Sequence, residues 1–143
     1  MHSPTTRNKL PARALALALL GFCAQAGAAD DSKRLTTMSD TELDAGMKAG
    51  VQVVLQRVPI QMENQTVLVG AEYEPSAKIA TYHYIQAGTF DPSALRTRFT
   101  TKNCTTPNVR AILSRGITFR HQITAGDRLL DFSVKNDDCR SVG

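Results

Sequence analysis

Leu43, Met47, Val51, Val54 and Val58 recur at three- and four-residue spacing, so the stretch behind Ser39 reads as an amphipathic helix with one buried stripe. Its start is well marked. Ser39 can cap the helix, Glu42 three residues on would complete a capping box, and Met38 with Leu43 would form a hydrophobic staple. Gly46 and Gly50 weaken the helix by up to about 1 kcal/mol each, and Pro59 stops it. Upstream, residues 30–37 are polar without a period and are expected to fray.

Downstream the period changes to two. Ile60-Gln61-Met62 reads as a short extended piece, followed by a turn at Glu63-Asn64-Gln65. Thr66 to Glu74 alternates, with Val67, Val69, Ala71 and Tyr73 expected on one face. Pro75-Ser76 turns the chain, and Lys78 to Gln86 returns as the second strand of a hairpin. There Tyr82 and Tyr84 share a face, opposite Ile79, His83 and Ile85.

Asp91-Pro92 and Thr106-Pro107 each place a capping residue before a proline, a helix-start signal given twice. The first helix carries Leu95 and Phe99 and leads to Cys104; the second carries Val109, Ile112 and Leu113 and ends at Gly116. The last third alternates most clearly. Ile117, Phe119, His121 and Ile123 share one face, Ala125-Gly126-Asp127 turns, and Leu130, Phe132 and Val134 alternate with Asp131, Ser133 and Lys135. The order is helix, hairpin, two helices, hairpin. It predicts an α+β fold with a small, largely antiparallel, curved sheet and helices packed on one face.

Ahead of all this lies a different kind of segment. Arg7, Lys9 and Arg13 precede an apolar run from Ala14 to Ala24, which is too short to anchor in a bilayer, and small residues follow as far as Ala29. Residues 1–29 are therefore expected to be a cleaved signal peptide, cut between Ala26 and Ala29, and residues 30–143 a single exported domain. Lipoprotein processing at Cys23 is the alternative, but it requires a small residue where Phe22 stands.

Export changes the meaning of the charge. The whole chain is +4, yet three of its seventeen basic residues precede Ala29 and none of its thirteen acids do, which leaves the exported part near +1. The basic balance belongs to targeting, and no nucleic-acid partner is expected. In an oxidising compartment the remaining pair, Cys104 and Cys139, is read as a disulfide that stabilises the fold by about 4 kcal/mol through loop closure.

Candidate chemistry is sparse. His83 and His121 fall on strand faces shared with isoleucine and are expected to be partly buried and hydrogen-bonded. Two thiols do not make a zinc site, and no third ligand stands out beside the two histidines. Glu72 and Glu74 share a strand face, which reads as solvated. There is no G-x-S-x-G elbow, phosphate loop or tryptophan platform. No cofactor, metal or catalytic residue is expected, and the chain is read as a binding module and not an enzyme. One lopsided feature remains. Arg96, Arg98, Lys102, Arg110 and Arg115 face the single acid Asp91 between that residue and Gly116, so the helices are a candidate basic surface for a protein partner.

The run from Cys104-Thr-Thr-Pro107 through Val109-Arg110-Ala111-Ile112-Leu113 and Gly116-Ile117 to Ile123-Thr124 and Cys139 resembles the type II secretion pilotins of the AspS kind. Leu55-x-x-Val58-Pro59-Ile60 and the Thr66-Val67-Leu68 strand are similar too, so the likeness covers most of residues 50–140. The resemblance implies a curved sheet flanked by helices with one disulfide. It also implies a periplasmic role, in which a pilotin binds the C-terminal segment of an outer-membrane secretin and escorts it. Pilotins of this kind are lipoproteins, and Phe22-Cys23 is no lipobox. Two readings stay open: an unlipidated pilotin-like chaperone, or a secreted or periplasmic binding protein that reuses the fold.

Overall fold

The computed structural model describes residues 31–142; the expected signal peptide and Cys23 lie outside the described residues. Four α-helices, α1 (Ser32–Thr37), α2 (Asp40–Arg57), α3 (Pro92–Thr105) and α4 (Pro107–Ser114), accompany five strands. The strands are β1 (Ile60–Gln61), β2 (Thr66–Glu74), β3 (Ile79–Gln86), β4 (Thr118–Ala125) and β5 (Arg128–Val134), and a 3-10 helix, Asn136–Ser141, follows.

The strands lie side by side in chain order. Pairs β1–β2, β2–β3 and β4–β5 are antiparallel, and β3–β4 is parallel. The parallel step has a simple cause. Two helices carry the chain from the end of β3 back to the start of β4, as any connection between parallel strands must. The α+β fold with a largely antiparallel sheet is as expected from the sequence.

Ser39 caps α2 by accepting a hydrogen bond from the Glu42 backbone N–H at 3.2 Å, and Asp91 caps α3 by accepting from the Ser93 N–H at 3.0 Å. Leu43, Met47, Val51 and Val54 are buried from α2, Leu95 and Phe99 from α3, and Val109, Ile112 and Leu113 from α4. They meet Leu68, Tyr82, Tyr84, Phe119, Ile123 and Val134 on the inner face of the sheet. The opposite face carries His83 beside Glu72 and the ion pair of Arg120 with Asp131.

Two expectations are corrected. Residues 32–37 do not fray but form α1, whose Leu35 is fully buried. Six residues cannot hold a helix alone, so tertiary contacts make it. The Asp31 N–H donates to Asn108 Oδ1 at 2.9 Å, and Arg115 Nη1 donates to the Leu35 carbonyl at 2.7 Å. The second correction concerns β2. Val67, Val69, Ala71 and Tyr73 do not share a face, because a bulge separates Leu68, which pairs with Tyr84, from Gly70, which pairs with His83. The extra residue is Val69. It shifts the alternation by one, so Thr66 and Leu68 face the core before the bulge and Ala71 after it.

Cys104 at the end of α3 and Cys139 in the 3-10 helix form the expected disulfide, with sulfurs 2.01 Å apart and Cα atoms 5.3 Å apart. Among the described residues no helix is long and apolar enough to cross a membrane.

Candidate functional site

The basic residues of the helices do not form one surface. Arg96 is exposed and sits over the Phe132 ring, its guanidinium carbon 5.4 Å from the centroid. Arg98 is half-buried at the start of β2 and donates to Thr66 Oγ1 at 3.2 Å. Burial pushes its pKa down, against the opposing pull of Glu63. Lys102 is half-buried farther along α3. Arg110 donates from Nη1 to the Asn136 side-chain oxygen at 2.9 Å and to its carbonyl at 3.2 Å, tying α4 to the C-terminal turn. Arg115 grips α1 through the Leu35 carbonyl and pairs with Asp40 at 2.9 Å. Arg98, Arg110 and Arg115 therefore each hold the fold together as well as carrying charge.

Of the five, Arg110 lies where the surface is concave. A shallow open groove of about 400 Å³ runs between α1 and α4, lined by Ser32, Lys33 and Thr36 on one side and Pro107, Arg110, Ala111 and Ser114 on the other. The spacing of 107, 110, 111 and 114 is one helix face, and 32, 33 and 36 lie at the same interval on the other helix. Its walls combine proline, alanine and the aliphatic stems of long side chains with two cations, and no acid lines it. Such a surface accepts an apolar stripe flanked by negative charge. Lys33 and its neighbours were not singled out from the sequence, because one leucine among polar residues shows no helical period.

The histidines separate. His83 lies on the outer face, its Nε2 3.4 Å from Glu72 Oε1, and its ring rests over Gly70, where an added Cβ would come within 3.4 Å of it. Glu72 and Glu74 are exposed. His121 is fully buried, as was not expected for a partly buried side chain, among the rings of Tyr82, Tyr84, Phe99 and Phe132. Its Nε2 lies 2.7 Å from Asn103 Oδ1. An amide oxygen only accepts, so Nε2 carries the hydrogen and Nδ1 is bare. Nδ1 has no partner among the described residues. A proton there would be charged, buried and unpaired, and burial depresses the pKa to about 3. Tyr82 Oη is likewise buried without a partner, and its ionisation is pushed up by burial. Among the described residues no group of three or more His, Cys, Asp or Glu side chains could hold a metal ion.

No family model and no curated protein matches the chain. Solved structures do. The five-stranded sheet with helices on one face is the fold of type II secretion pilotins. The pilotin EpsS from the type 2 secretion system of Vibrio vulnificus superposes with a TM-score of 0.61 at 19% identity, over 70% of this chain and 94% of that one. The type II secretion pilotin AspS from Vibrio cholerae does so with a TM-score of 0.58 at 14% identity, over 79% of this chain and all of that one, a coverage of 100%. A candidate secreted protein from Pseudomonas aeruginosa shares the fold as well, at a TM-score of 0.58 and 15% identity, covering 71% of this chain and 96% of that one.

Proposed function

We propose that this chain is an exported, pilotin-like binding protein, not an enzyme, which holds the C-terminal segment of an outer-membrane secretin in the periplasm. The observation that carries the reading is the fold, which two type II secretion pilotins share over 94% and 100% of their own lengths. The groove between α1 and α4 supports it physically. A short amphipathic helix would lay its apolar stripe on Pro107 and Ala111 and set acidic side chains beside Lys33 and Arg110.

Titration calorimetry of the purified protein with C-terminal peptides of the host's secretins tests this. Saturable binding at micromolar affinity or tighter is expected, weakened roughly tenfold by Lys33→Glu, since a reversed rim charge both loses an attraction and adds a repulsion. Absence of binding to every secretin tail would sink the reading. A second reading then takes its place, a secreted or periplasmic protein with another partner, which the likeness to the Pseudomonas aeruginosa protein favours.

A further inference from the structure

The two edges of the sheet are treated differently. At the β2 edge the neighbour is the two-residue β1, Val69 bulges, and Glu72 and Glu74 place charge along the exposed strand. Short edge strands, bulges and charges all discourage pairing with another chain. At the other edge β5 runs for seven residues in unbroken register with β4, without proline or bulge, and its one cation, Arg128, stands at the strand's first position. Its one acid, Asp131, is already held by Arg120 in two hydrogen bonds of 2.9 and 2.6 Å and by Gln122 at 3.2 Å. Leu129 on this strand is 63% exposed, the most of any large hydrophobic side chain described. It ends a row that crosses the outer face through Val67, Ile85 and Thr124.

We propose that β5 pairs antiparallel with β5 of a second copy of this chain, about a two-fold axis at Leu130. The register follows from face and charge. Opposed residues in an antiparallel pair share a face, so a two-fold can pass only through one residue or another of the strand. An axis at Asp131 sets two carboxylates against each other. An axis at Phe132 drives together two Arg96 guanidiniums, each stacked on that ring. An axis at Leu129 shortens the overlap. With the axis at Leu130, that half-buried side chain meets its own copy on the inner face, and Leu129 of each copy lies opposite Asp131 of the other on the outer face. No like charges on the two strands oppose: Arg128 of each copy lies opposite Phe132 of the other, its own guanidinium held over Phe90, 5.9 Å from the ring centroid. One strand pair buries less than the roughly 800 Å² per partner of a standard interface, so the dimer dissociates on dilution.

Sedimentation equilibrium of the purified protein from micromolar to millimolar concentration is expected to show a monomer–dimer equilibrium. The test of register uses charge at an exposed position that does not disturb folding. Leu129→Asp opposes two aspartates twice over and raises the dimer Kd about tenfold or more, whereas Leu129→Lys opposes lysine to aspartate and leaves the Kd unchanged or lowers it. Thermal melts matching the parent show that both variants are folded. A parent that is monomeric at every concentration overturns the proposal, and so does equal weakening by aspartate and lysine. The secretin-peptide titration is independent of either result.

Discussion

His121 shows how one side chain links sequence position to a solution property. In the folded protein it is neutral, with a pKa near about 3 because the ring is buried and Nδ1 unpaired. The unfolded chain binds a proton at about pH 6.5. Below that pH the unfolded state therefore holds the extra proton, and folding stability falls as pH drops, levelling off only once the folded form is also protonated. The stabilisation is fully present above about pH 6.5 and declines by up to roughly 1.4 kcal/mol per pH unit toward pH 3. Urea unfolding at a series of pH values should show this slope between pH 6.5 and 5, above the range where carboxylates such as Asp131 begin to protonate. His121→Gln should be less stable at neutral pH yet flatter across that interval. An unchanged slope in the variant would assign the acid sensitivity to other groups. Of the two histidines, strand alternation set which face each occupies. What lies above that face was not legible, because Asn103 and the four rings come from α3 and two other strands, β3 and β5.

At the scale of elements, α1 and the C-terminal turn are the pieces that the sequence described least well. Helix α1 owes its existence to the burial of Leu35 and to two hydrogen bonds, Arg115 to the Leu35 carbonyl and the Asp31 N–H to Asn108, each with a partner more than seventy residues away along the chain. Leu35→Ala should cost about 2–5 kcal/mol, the usual range for emptying a filled core site. It should also raise amide exchange selectively in residues 32–37 and so loosen one wall of the groove. Exchange rising evenly throughout the molecule would show instead that α1 unfolds only with the whole. The 3-10 helix is tied to α3 by Cys104–Cys139 and to α4 by Arg110. Cys104→Ser should lower stability by about 4 kcal/mol under non-reducing conditions, as expected for opening a loop of 35 residues. A melting temperature equal to the parent's would mean that the bond contributes nothing. The bulge at Val69 is the element-scale misreading. The one local hint is Gly70, since a glycine inside a strand often marks a bulge, but valine suits either phase and does not say where the insertion falls. Only the registers of β2 against Tyr84 and His83 reveal it.

For the whole molecule, a sheet covered on one side sets both functional proposals. The helices supply the core and, between α1 and α4, the concave surface offered to a secretin segment. The uncovered face and its long β5 edge supply the surface offered to a second copy. The two use different elements, α1 and α4 in one case and β5 in the other, so peptide binding and self-association should leave each other unaffected.

Local rules were enough for most of the architecture. Capping residues, prolines and the two hydrophobic periods set α2, α3, α4 and both hairpins, because each of those signals acts over a few residues. Two cysteines in a domain expected to be exported were enough to read the disulfide, and the spacing around them carried the likeness to pilotins. Tertiary structure alone decided the parallel join of β3 and β4, the phase of β2 beyond its bulge, the formation of α1 and the dispersal of the basic residues. It also chose which side of Arg110 would be a groove. Each of these depends on contacts between residues far apart in the chain, where burial and hydrogen bonding outweigh weak local preference and leave no periodic trace in the sequence.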